Sequence, residues 1–130
     1  MSWLRLSLLM ALTGTAPERV ILSGQVQGSS GQHPVYVALW SAEGFLDRPA
    51  QQLRLEPDAG VGFRFEVAPG KWALSAFEDL NGNGVLDMGW FGPKEPNGFW
   101  RPFAGGHKPS FEEVEMLVAH DTPDANIRLR

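Results

Sequence analysis

A chain of 130 residues suits a single domain and is long enough to bury a core of its own. Its formal charge of −4, with basic residues dispersed, excludes nucleic acid as the expected partner. The absence of cysteine excludes disulfides, thiolate metal sites and thiol catalysis, while 15 glycines and 10 prolines suit a fold with many tight turns.

The chain begins with a segment unlike the rest. Arg5 precedes the apolar run Leu6 to Leu12, and small residues Thr13 to Ala16 follow. This is the pattern of a short secretory signal with a small-residue cleavage site, so residues 1–16 are expected to direct the protein to the periplasm or beyond the cell. The run is much shorter than the roughly 20 apolar residues that cross a bilayer, so no membrane span is expected. The folded part is expected over residues 19–130 as one domain.

From Arg19 onward the dominant period is two. Val20, Leu22 and Val26 share one face of a first strand, interrupted by Gly24. Val35, Val37 and Leu39 alternate with Tyr36, Ala38 and Trp40. A strand so apolar on both faces is expected at the centre of a sheet. Leu53 and Leu55 alternate with polar residues, as do Phe63, Phe65 and Val67. Ala68 to Lys71 reads as a turn, after which Trp72, Leu74 and Ala76 line a fifth strand. Val114, Met116 and Val118 form a sixth, and Ile127 and Leu129 a last one. About seven short strands, regular turn signals and no convincing helix predict an all-β fold, an antiparallel β-sandwich, with an edge-closed barrel as the alternative.

The segment from Asp79 to Asp87 carries oxygen-bearing side chains at every second position and a glycine at the sixth. Asp79, Asn81, Asn83, the Val85 carbonyl and Asp87 match the spacing by which a short loop wraps calcium, and Leu86 can anchor the loop to a core. The twelfth position is Trp90 rather than a bidentate Glu. Glu95 or a carboxylate from another loop would have to substitute, and with two local carboxylates the expected affinity is of the order of 10⁻⁴ to 10⁻³ M. The alternative is a self-satisfied turn, because Asp and Asn bond their own backbone and Asn-Gly pairs favour left-handed conformations.

Directly after it, Trp90, Phe91, Phe99, Trp100 and Phe103 crowd a segment rich in Gly and Pro. Trp90, Phe99, Trp100 and Arg101 are the candidate ligand contacts: rings to stack on a glycan or a peptide, a guanidinium to bond it. The alternative is that the rings fold back and cap one end of the sandwich.

No catalytic residue emerges. His33, His107 and His120 lack metal-site spacing, Gly28 to Gly31 is not a nucleophile elbow, and no phosphate-cradling glycine loop is present. A hydrolase using Glu78 or Glu95 is the least favoured class.

Four stretches in order resemble a bacterial family of small exported proteins catalogued as domain of unknown function 2141. They are Val37 to Phe45, Ala68 to Asp87, Glu95 to Phe99 and Pro109 to Glu113. The Pro-Gly-x-aromatic strand leading into Asp-x-Asn-x-Asn-Gly also resembles transthyretin-like and carboxypeptidase-regulatory-like sandwiches. Glu78 stands where many members of the family have His. The resemblance implies an exported immunoglobulin-like or transthyretin-like sandwich and brings no activity. The expectation is therefore a non-enzymatic binding or accessory module, with calcium as its cofactor and a glycan, peptide or envelope protein as its partner. The alternative is a metal-free module for protein interaction.

Overall fold

A computed structural model describes residues 18–86, 88, 89 and 92–130. The strands follow the period of two. β1 (Val20–Gln27) and β4 (Gly62–Val67) pair antiparallel with Leu22 opposite Phe65, and both side chains are fully buried. β10 (Ile127–Arg128) adds to the other edge of β1 in parallel, giving a three-stranded sheet.

The second sheet runs β3 (Gln51–Leu55), β2 (Val35–Trp40), β5 (Gly70–Glu78), β8 (Asn97–Phe99). The doubly apolar β2 lies in its interior, as its pattern predicts. The far edge of β5 is divided: residues 75–77 pair with β8, and residues 70–72 pair with β9 (Met116–Val118). A two-residue pair, β6 (Met88–Gly89) and β7 (Gly92–Pro93), interrupts the segment that shows no period in the sequence.

The inner faces of the two sheets close one core around Leu22, Val26, Val37, Leu39, Phe65, Val67, Leu74, Val118 and Ile127. Along one side the sheets are also stitched by backbone: Asn97 and Arg130 exchange N–H to C=O bonds of 3.3 and 3.1 Å. The approach is close enough that a Cβ on Gly98 would sit 2.1 Å from the Arg128 carbonyl oxygen, so only glycine fits there. The architecture is the expected antiparallel all-β sandwich, with one parallel edge strand.

One element differs from expectation. Residues Phe111–Val114, read as leading into the sixth strand, form a single helical turn, α1, before β9 begins. Ser110 and Glu113 are the reason. The Glu113 carboxylate accepts the Ser110 N–H at 2.9 Å, satisfying a donor that an extended chain would leave to solvent. α1 turns Phe111 and Val114 onto the outer face of the second sheet. There they bury Ala73 and pack with Trp40, Phe45, Phe99 and Phe103 in a second apolar cluster.

Candidate functional site

The outer face of the second sheet is thus covered at one end and open at the other, and the Asp79 loop begins at the open end. β5 delivers two consecutive carboxylates there, Glu78 and Asp79, each about 1 % exposed. Glu78 is the last residue of β5 and Asp79 the first beyond it, and the two turn to different partners. Glu78 turns to the Gly28–Gly31 turn, where one oxygen accepts the Ser30 N–H at 3.0 Å and the other accepts the Ser30 hydroxyl. Asp79 turns into its own loop and accepts the Gly84 N–H through Oδ2 at 2.8 Å.

The loop is wound by its own side chains. Asn81 Oδ1 accepts the Asn83 N–H at 3.2 Å, and Asn83 Oδ1 accepts the Val85 N–H at 3.1 Å. Gly82 and Gly84 take φ of 76° and 78°, which side-chain-bearing residues adopt only at a cost. A third buried carboxylate, Glu95, reaches the entrance of the loop and accepts the Leu80 N–H at 2.7 Å. The sequence offers Glu95, or a carboxylate from another loop, as the substitute for the absent twelfth-position ligand; here the Glu95 Oε2 is engaged by the Leu80 N–H.

One atom in this arrangement is left over. Asp79 Oδ1 is buried and has no hydrogen-bond partner, and neither Asp79 nor Glu78 forms an ion pair among the described residues. An unsatisfied buried acceptor costs about 1–3 kcal/mol, and more when it carries charge. The structure thus gathers Asp79, Asn81, Asn83 and Val85 into one wound loop, while Asp87, the fifth expected ligand, lies outside the described residues.

The expected ligand contacts scatter. Trp90 lies outside the described residues. Trp100 packs against the main core, and its backbone N–H donates to the Leu74 carbonyl at 2.9 Å. Arg101 Nη1 donates to the carbonyls of Glu112 and Glu115 at 3.5 and 3.3 Å, fastening α1. Phe99 alone of the described three faces a cleft.

That cleft, of about 410 Å³, lies on the open part of the outer face. Its floor is Tyr36, Ala38 and Trp40 from β2 with Ser75 and Phe77 from β5. Leu46 and Pro49 wall one side, Phe99 and Asn97 another, and Gly84, Val85 and Leu86 of the Asp79 loop a third. Tyr36 and Phe77 stack with centroids 5.4 Å apart, Trp40 Nε1 donates to Ser75 Oγ at 2.8 Å, and Phe45 meets Trp40 edge-on at 5.9 Å. Sequence reasoning passes over Tyr36, Trp40 and Phe77 because alternation presents them as the second buried face of a central strand. The signal that marks them is size: rings at 36, 40 and 77 flank the small Ala38 and Ser75, leaving a hollow between them.

These features define a small all-β sandwich with an oxygen-rich loop at one end of a sheet and an aromatic cleft beside it. Among the described residues no helix is long and apolar enough to cross a membrane. The chain belongs to the family described as an uncharacterized protein conserved in bacteria (DUF2141), which matches residues 25–126. No curated protein and no solved structure matches it.

Proposed function

We propose that this protein is an exported, non-enzymatic binding module whose Asp79 loop holds a calcium ion and thereby fixes one wall of the cleft. The observation that carries this reading is the buried, partnerless Asp79 Oδ1. A carboxylate oxygen withdrawn from water needs a hydrogen-bond donor or a cation, and the same loop carries neutral side-chain oxygens at Asn81 and Asn83. Asn81, Asn83 and the Val85 carbonyl are hard ligands suited to calcium, and an sp² oxygen that accepts one N–H can also contact an ion through its second lone pair. Glu95 adds a second buried carboxylate at the loop entrance. Export rests on the signal-like pattern of residues 1–16, and a compartment rich in calcium suits a weak site. The module is assigned no catalytic residue; its partner is a glycan, a peptide or an envelope protein.

Calorimetry and thermal melting test the cation. With a Kd of about 10⁻⁴ M, about 10 mM calcium should stabilise the fold by about 2.7 kcal/mol. Asp79→Asn should abolish both the heat and the rise in melting temperature. The two Asn side-chain bonds to backbone favour a second reading, a metal-free structural module with a self-satisfied turn. Absence of heat and of any thermal shift in a folded sample would establish that reading instead.

A further inference from the structure

We propose that the cleft on the outer face of the second sheet binds a neutral saccharide segment. This rests on the binding-module reading but not on the cation. The cleft, at about 410 Å³, falls in the range of small-ligand sites, roughly 300–1,000 Å³, and is too small for a folded partner. Trp40, Phe77 and Phe99, each half-buried, present apolar ring surface that matches the C–H faces of sugar rings, while the Tyr36 ring is stacked on Phe77 and lies under the Arg54 guanidinium.

The chemistry of the lining narrows the ligand. No charged side chain is among the described lining residues. An ionic ligand would lose hydration there, and the cation beside Tyr36, Arg54, is already paired with Glu56 at 2.6 Å. The polar groups include the amides of Gln52 and Asn97 and the hydroxyls of Ser75 and Tyr36. Amide and hydroxyl groups both donate and accept, as sugar hydroxyls do.

A peptide is disfavoured on two counts. Strand addition needs a free sheet edge, whereas the cleft lies on a face, and β5 is paired along both edges by β2, β8 and β9. A proline-rich segment docks on aromatic grooves by presenting carbonyls to ring donors. Here the Trp40 Nε1–H is already given to Ser75 Oγ, which leaves the Tyr36 hydroxyl as the ring donor of the cleft.

The wall is also built rather than incidental. Leu46 takes φ 61°, a conformation unfavourable for its side chain, and is held there by a turn in which Asp47 and Arg48 both donate to the Gly44 carbonyl, at 2.9 and 2.8 Å. Strain of this kind persists where the surroundings impose it, and here it places an apolar side chain at the rim.

The test uses the full chain and four probes: cellotetraose, chitotetraose, a tetragalacturonate and a proline-rich decapeptide. Binding is read by calorimetry and tryptophan fluorescence, once with calcium and once with chelator. A neutral tetrasaccharide should bind, with affinity about tenfold lower in Phe77→Ala. Gln52→Ala, at an exposed position that cannot threaten folding, should weaken it several-fold. Binding in chelator and binding strengthened by calcium both support the proposal, since calcium uptake is measured separately and fails or succeeds on its own. The proposal is overturned if neither neutral tetrasaccharide binds. It is overturned equally if the uronate or the peptide binds more tightly than both, or if Gln52→Ala and Phe77→Ala leave binding unchanged.

Discussion

Glu78 and Asp79 are neighbours in sequence and nearly equal in burial, yet their environments differ in kind. Glu78 has both oxygens engaged by one serine, which closes the Gly28–Gly31 turn over the end of β5. Its hydrogen bonds are charge-assisted and inside the protein, where they are worth more than neutral ones. A double-mutant cycle between Ser30→Ala and Glu78→Gln, read by urea denaturation, should return a coupling of about 1–2 kcal/mol. A coupling near zero would mean that the turn is held by its backbone alone. Asp79 shows the opposite case: with Oδ1 partnerless, its charge is a liability until something positive joins it. In chelator, Asp79→Asn should therefore lie within about 1 kcal/mol of the parent, whereas Glu78→Gln should not. Comparing the two melting curves at low calcium separates a carboxylate that holds the fold from one kept for a ligand.

At the scale of elements, β8 and α1 are two that the sequence does not announce, and each depends on one local device. β8 exists because Gly98 lets the chain pass against Arg128. In Gly98→Ala the new methyl would meet that carbonyl at 2.1 Å, and backbone cannot yield as a side-chain tip can. The variant should lose roughly 2–3 kcal/mol in denaturant melts, with amide exchange at Asn97 and Arg130 accelerated first. α1 depends on Glu113, whose carboxyl is held below its ordinary range chiefly by the Ser110 N–H, with His107 and the Ser110 hydroxyl contributing and burial opposing. A group with a lowered folded-state value stabilises fully above its unfolded value, about 4.3, and loses that contribution as pH falls through the folded value. The gap in melting temperature between the parent and Glu113→Gln should therefore be widest near neutrality and close on acidification below about pH 4. A gap independent of pH would show that the carboxylate charge plays no part in the cap.

These two elements also mark the limit of what alternation reveals. β1 to β5 are legible because each buries one row of side chains against a single core, so period two is imposed by packing. In α1 the period is overruled by four residues. Val114, Met116 and Val118 alternate by number, but Ser110-x-x-Glu113 starts a helical turn first, and that capping pattern is the more local signal. The oxygen spacing of the Asp79 loop is legible for the same reason, since it lies within nine consecutive residues. The cleft is not, because Tyr36, Trp40, Phe77 and Phe99 come from three strands, and nothing along the chain states which of two apolar faces stays open.

For the molecule as a whole, the question is whether the two sheets form one cooperative body or two layers that can part. The seam between β8 and β10 decides it, and Ile127 sits in that seam: fully buried, in the main core, with its Cγ2 3.6 Å from where a Gly98 Cβ would lie. Its strand pairs two residues of β1, flanking backbone bonds such as Ala125 N–H to Ser23 and Leu129 N–H to Gln27 extend that edge, and burial of Ile127 beside Leu129 anchors it in the core. Ile127→Ala should therefore cost about 2–5 kcal/mol, the range for emptying a buried aliphatic site. Leu117, 71 % exposed on the short strand β9, gives the control, and Leu117→Ala should change stability by about 0.5 kcal/mol or less. If the sandwich is one body, Ile127→Ala lowers the midpoint of a single transition seen alike by near-ultraviolet and far-ultraviolet circular dichroism. If the sheets are independent layers, the three-stranded sheet loses its core partner and melts ahead of the other, and the two signals separate. Because the cleft and the Asp79 loop both stand on the second sheet, separation would leave their geometry intact at temperatures where the first sheet had gone. Coincident transitions would instead make every ligand held at that site a stabiliser of the whole chain.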